Sequence, residues 1–263
     1  MTATLERRST THLSPRLTTA TTVRVLRQLR HDRRTIAMML VLPSLLLGLL
    51  YLLWNDVPTL PGQPSIFDRV GLTMLGIFPF VVMFLVTSIA MLRERTSGTL
   101  ERLLTTPLAR LDLLLGYGLA FGLMAALQAL VTVTVATTVY DLYVAGSIWL
   151  VVVIAVVDAA LGVALGLLAS AFARSEFQAV QFMPVVVLPQ FFLCGLLVAR
   201  EQLPGWLQAV SDALPLTYAV EALQEVGRSA DATGTMWTDV GVVAGAALLA
   251  LGLAAATLRR RTS

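Results

Sequence analysis

Six apolar runs, near residues 36 to 54, 70 to 92, 113 to 139, 148 to 172, 179 to 199 and 239 to 258, constrain this chain more than any other feature. Each is long enough to cross a hydrocarbon core about 30 Å thick. Backbone polar groups in that core must be satisfied within the segment, so the runs predict helices and an all-α integral membrane protein with six transmembrane helices. No stretch between them reaches the size of a soluble domain, and residues 1–263 read as a single transmembrane domain.

Charge orients the spans. Six crossings put the N-terminal arm, the 93–112 loop, the 173–178 turn and the C-terminal tail on one face, and these hold sixteen of the 19 Arg. Only Arg69, Arg200 and Arg228 fall on the other face. The positive-inside rule then predicts a multi-pass protein with both termini cytoplasmic. The pI of about 9.5 follows from this topogenic bias, and no nucleic acid partner is expected. A mostly polar stretch of about 34 residues precedes the first run, and no small-residue cleavage site follows a short apolar core, so that run is expected to stay as an anchor.

Several chemistries are excluded. No Lys occurs, so a Walker phosphate loop, which needs one, is absent and any nucleotide hydrolysis belongs to a partner. His12 and His31 both lie in the N-terminal arm and Cys194 is the only cysteine. An internal disulfide, a Cys/His metal cluster and a His-based hydrolase site therefore have no residues to build on, and no cofactor is expected on this chain.

The arm of residues 1–35 has Val23, Leu26 and Leu29 at helical spacing between Arg24, Arg27, Arg30, Arg33 and Arg34. This predicts an amphipathic helix lying in the cytoplasmic interface; a disordered basic arm is the plainer alternative. Between spans five and six, residues 200–238 are too polar to cross. Pro204 to Val210 and Ala219 to Val226 predict two short extracellular helices, with Pro204 and Pro215 near their starts and Trp206 and Tyr218 at the outer interface. The acids Glu201, Asp212, Glu221, Glu225 and Asp231 are expected to face water or the mouth of a path.

Within the spans, Pro43, Pro79, Pro184 and Pro189 each remove a backbone donor. The pairs Gly118/Gly122, Gly162/Gly166 and Gly241/Gly245 each permit close helix approach. Asp158 sits near the middle of the fourth run, where an acid costs about 2.5 to 3.5 kcal/mol to insert. It heads a stripe with Gly162, Gly166 and Ser170. Asp158 and Ser170 are candidates for a substrate or proton path, or else for a helix-packing lock.

The densest charge inside the apolar chain is Arg93-Glu94-Arg95-Thr96-Ser97-Gly98-Thr99-Leu100-Glu101-Arg102-Leu103-Leu104-Thr105-Thr106-Pro107, between spans two and three. Gly98 can permit a tight turn, Thr99 can cap a following helix, and the charges can meet a soluble partner. This stretch is similar to the loop of ABC type-2 transporter permeases, in which Glu-Arg-x-x-Gly-Thr-Leu-Glu precedes a Thr-Pro. A second stretch, from Leu188-Pro189 through Phe192-Leu193-Cys194-Gly195-Leu196 and Leu203-Pro204-Gly205-Trp206-Leu207 to Leu214-Pro215-Leu216-Thr217-Tyr218, resembles the family's end of span five and its extracellular helices. The chain looks closest to the daunorubicin-resistance branch. Cys194 stands where the family commonly has Ser, and Ala199 near a usual Pro.

The resemblance implies a type V exporter-like subunit of the bacterial inner membrane. Two such permeases, identical or paralogous, would form an export pathway for an amphiphilic drug, lipid or other hydrophobic substrate. Two copies of a separate ABC ATP-binding subunit, carrying ATP and magnesium, would drive it. Arg93, Glu94, Arg95, Gly98, Thr99, Leu100, Glu101 and Pro107 would form the coupling loop seated on that ATPase. Two rivals stay open: a proton- or ion-coupled secondary transporter using Asp158, and a membrane scaffold without transport.

Overall fold

The computed structural model describes residues 14–58, 64–98 and 110–257. These residues form α-helices and contain no strand. In chain order they are α1 (Pro15–His31), α2 (Arg33–Trp54), α3 (Ile66–Thr96), α4 (Arg110–Thr138), α5 (Ile148–Ser170), α6 (Glu176–Leu193), α7 (Gly205–Asp212), α8 (Pro215–Arg228) and α9 (Gly234–Thr257). A 3-10 turn, Arg200–Gln202, leads into α7. Six helices, α2 to α6 and α9, are long and apolar enough to cross a membrane, as the six runs predict.

Two boundaries move for identifiable reasons. The first span starts at Arg33 because Asp32 caps it, accepting from the Thr35 amide at 3.1 Å and the Thr35 hydroxyl at 2.7 Å. These bonds hold the Asp32 carboxyl below its ordinary pKa. The fifth span, expected to continue to 199, stops at Leu193, and Gly195 then takes φ of +86°, a left-handed conformation that glycine adopts without a Cβ penalty.

Packing centres on α3 and α5, which run against each other over most of their length. Two glycines make this possible. A Cβ on Gly162 would lie 2.4 Å from the Phe80 carbonyl oxygen, and one on Gly166 2.5 Å from that of Phe84, so the backbones touch directly. The other two glycine pairs are not used this way: Gly122, Gly241 and Gly245 have open space where a Cβ would stand, and Gly118 meets only Leu251 at 3.8 Å. At its far end α3 is fixed by a capping box in which Ser65 and Asp68 each bond the other's backbone N–H at 2.9 Å.

Helix α1 buries Thr18, Thr21, Thr22, Val25 and Leu29. Of the apolar stripe read from the sequence, Leu29 packs against the protein, Leu26 is half-buried and Val23 is exposed. Hydroxyls decide the face. Thr18 donates to Asp112 at 3.0 Å and Thr22 to the Gly116 carbonyl at 3.2 Å, and Gly116 lets the Thr21 side chain approach α4.

Helix α8 is corrected. It begins at Pro215 rather than Ala219, and Leu216, Ala219, Val220, Leu223 and Val226 enter the main core beside Leu72, Leu75 and Ile154. It is an inserted element, with α9, α3 and α5 as neighbours.

Candidate functional site

Helix α3 has 31 residues and so extends about 46 Å, longer than the hydrocarbon core is thick. Its last turn carries the start of the charged loop. Three consecutive residues there reach three different helices. Arg93 donates from Nε and Nη2 to the two oxygens of Glu176, the first residue of α6, at 2.8 and 3.1 Å. Glu94 turns inward and accepts from Arg24 of α1 at 3.3 Å, while Arg24 also donates to the Tyr117 hydroxyl of α4 at 2.7 Å. The Arg24 guanidinium lies over the Tyr117 ring, 5.6 Å from its centroid. Arg95 donates to the Ser170 carbonyl at the end of α5.

Glu94 is therefore buried against its own subunit, where Arg24 is its partner. Arg93 keeps an exposed side chain, and Gly98 takes φ of +72°, consistent with a tight turn leaving α3. Thr99, Leu100, Glu101 and Pro107 lie outside the described residues.

Asp158 is fully buried in α5. It faces α3 at Gly76, where an added Cβ would sit 3.3 Å from Oδ2 and 2.9 Å from Leu223 of α8. Neither carboxyl oxygen finds a hydrogen-bond partner among the described residues. The small-residue stripe it heads is the α3-facing side of α5, and Ser170 at its end donates to the Leu167 carbonyl at 2.6 Å. Asp158 and Ser170 are not brought together; they stand about three turns apart on one packed face.

In the segment between the last two spans, Arg200 is a hub that sequence reasoning left unassigned. It donates to Glu221 of α8 at 2.6 Å and to Asp212 of α7, and lies 5.9 Å from the Tyr218 ring centroid. Glu221 and Asp212 are thus paired while still reaching water, and they raise the already high pKa of the guanidinium. Tyr218 donates to the Asp212 carbonyl at 2.7 Å, Pro204 caps α7, Pro215 opens α8, and Trp206 is exposed. Gln190 of α6 ties this unit to the spans, its Oε1 accepting from the Leu216 amide at 3.3 Å. Ser211 adds a bond to the Leu193 carbonyl at 2.9 Å.

Residues 16–226, from the first turn of α1 to the last turn of α8, match the ABC-2 type transporter family. The chain belongs to that family. This ABC-2 protein is 28% identical over 171 residues to ABC transporter G family member 20 of Dictyostelium discoideum, covering 64% of this chain and 23% of that protein. It is 26% identical over 154 residues to the probable multidrug ABC transporter permease YbhR of Escherichia coli, covering 59% and 42%. For the probable multidrug permease YbhS of the same organism the identity is 26% over 182 residues, covering 69% and 48%. The matched part spans less than half the length of each relative. The chain is thus a multi-pass membrane subunit of the ABC-2 transporter class.

Proposed function

We propose that this chain is the permease subunit of an ATP-driven exporter in a bacterial inner membrane, with both termini cytoplasmic. A second permease completes the pathway. Two copies of a separate ABC ATP-binding subunit supply ATP, magnesium and hydrolysis. The observation that carries this reading is the family match over residues 16–226, taken with the position of the charged turn where α3 ends. The 93–112 loop meets the ATPase, α1 lies along the cytoplasmic interface, and α7 and α8 lie towards the exterior.

The free face of α6 supports a partner within the membrane. Gln181, Pro184 and Pro189 are exposed there among Val185, Leu188 and Phe192. Each proline frees a carbonyl, and neither a carbonyl nor a Gln amide can be satisfied by lipid tails. A second permease and the pathway between the two would cover this face. An amphiphilic drug or lipid suits such mixed walls, and the multidrug relatives point the same way. The secondary-transport alternative draws on the unpaired Asp158, but that residue is sealed between α3, α5 and α8 and meets no path in this state.

Copurification from membranes, followed by ATP hydrolysis measured against a panel of amphiphiles, tests the reading. An ATP-binding subunit should come with the permease, and hydrolysis should respond to transported compounds. A permease that captures no ATPase would refute it. Cysteines placed in 202–236 should label from outside and cysteines in 94–108 should not; reversed labelling would invert the topology.

A further inference from the structure

Helix α6 packs on the rest of the subunit by one face only, on which Val187 enters the main core with Phe182, Met183 and Val186 against it. On its opposite face Val180, Gln181, Pro184, Val185, Leu188 and Pro189 are exposed, and two prolines interrupt its hydrogen bonding. At the end near α7 and α8, Gln190 and the Leu193 carbonyl are bonded to Leu216 and Ser211. At the other end, a small separate cluster of Leu92, Ala173 and Ala179, with Ile89 and Phe182 against it, packs the last turns of α3 on the start of α6. Directly beside that cluster stands the two-pronged Arg93–Glu176 pair.

The three neighbouring ties at the end of α3 differ in what they hold. Glu94 and Arg95 connect it to α1 and α5, both packed into the main body. Arg93 alone connects it to α6, the lightly packed helix. The Arg93 and Glu176 side chains are 60% and 54% exposed, and exposed ion pairs contribute little to folding stability. A planar guanidinium gripping both carboxylate oxygens does, however, fix direction as well as distance. The pair also joins the residue that starts the charged loop to the residue that starts α6. It is suited to passing a displacement between them.

We propose that the Arg93–Glu176 pair is the link that delivers movement at the end of α3 to α6, which makes Glu176 a positioning residue of the transport cycle. This rests on the permease reading above. When the end of α3 shifts, Glu176 is drawn with Arg93, and α6 swings about Pro184 and Pro189 while its far end stays anchored at Gln190. The main body, joined through Glu94 and Arg95, moves with α3 or not at all.

The test uses the permease with its captured ATPase and the maleimide labelling rate of Gln181→Cys, repeated with Val185→Cys. Rates are compared between the nucleotide-free and ADP-vanadate-trapped complexes, with trapped nucleotide as normaliser. The rate should change several-fold on trapping in the otherwise native protein. Glu176→Gln should abolish that change while leaving the thermal unfolding midpoint where it was, and Arg93→Glu should do the same. The charge-swapped double variant, Arg93→Glu with Glu176→Arg, should recover it. A permease that captures no ATPase overturns the functional reading and the link with it. Captured ATPase with no rate change on trapping, or an undiminished change in Glu176→Gln, overturns the link alone. So does a double variant that traps nucleotide without recovering the response.

Discussion

Helices α5 and α6 follow each other in sequence and are attached to the protein in opposite ways. Helix α5 meets α3 backbone to backbone at Gly162 and Gly166, with Asp158 sealed into the same face. Helix α6 packs by one face, with Val187 in the main core, and exposes its prolines on the other. In a bilayer, where lipid tails are as apolar as leucine, burial of apolar area does not by itself draw helices together. Close approach of small residues does, and α5 has it while α6 does not. One subunit thus contains a fixed pair and a lightly attached helix, divided by only a short turn at residues 171–175.

The sharpest way to break this contrast is at Gly162. In Gly162→Val the new Cβ would fall 2.4 Å from a backbone oxygen that has no rotamer to yield, so α3 and α5 must separate. A loss of about 3 kcal/mol is expected, read as a lower unfolding midpoint in detergent. Gly245→Ala in α9 meets nothing within 4 Å and should be neutral or gain a few tenths of a kcal/mol from helix propensity, at most about 1. Equal midpoints for the two variants would remove the distinction between used and unused glycine pairs.

The two kinds of charge tie come next. Arg24→Ala strands Glu94, whose side chain is 7% exposed and whose second oxygen already lacks a partner among the described residues. The cost should be about 1–3 kcal/mol, because a buried charge is left without its hydrogen bond. Glu176→Ala removes an exposed pair and should cost about 0–1 kcal/mol. A larger loss in Glu176→Ala would show that α6 depends on its tie for stability, and the picture of a lightly attached helix would fail.

The span count and the order of elements were legible in the sequence because length and hydropathy alone determine them. What faces what was not. Three glycine pairs look alike as text, and only the positions of Phe80 and Phe84 on another helix single out Gly162 and Gly166. The face by which α1 meets α4 was not legible, because Thr18, Thr21 and Thr22 carry no hydropathy signal, yet a hydroxyl that bonds Asp112 or the Gly116 carbonyl packs as closely as an alanine. Helix α8 did carry a signal, since Leu216, Val220, Leu223 and Val226 recur at helical spacing, but short length and polar flanks masked it. The loop's charges were visible, yet their partners were not: Glu176 is 83 positions from Arg93 and Arg24 is 70 from Glu94. No spacing rule reaches that far.

Asp158 sharpens the comparison from inside α5. If the acid were a hydrogen-bonded lock, its removal would loosen the pair, but neither oxygen has a partner among the described residues. The contact is made by the glycines. Asp158→Asn preserves size while abolishing ionisation, so the unfolding midpoint should stay within the equivalent of about 1 kcal/mol. Export by the reconstituted complex should also be unchanged if Asp158 only fills space. Unaltered stability with altered transport would instead assign the acid to the cycle and revive proton coupling.

The smallest effect concerns reactivity rather than stability, and it separates the two ends of α6. Cys194, one residue past the helix, is 1% exposed and donates to the Phe191 carbonyl at 3.2 Å, beneath the unit anchored by Gln190 and Ser211. Phe177, in the first turn, is 73% exposed. A maleimide can reach the first only after local opening, and an opening free energy of about 3 kcal/mol lowers the rate ~100-fold. The native protein should therefore label slowly, and Phe177→Cys should introduce one fast site while leaving the slow one unchanged. Comparable rates at both positions would mean that the far end of α6 opens as readily as its start, and the anchor at Gln190 would then give the swing about Pro184 and Pro189 no fixed point.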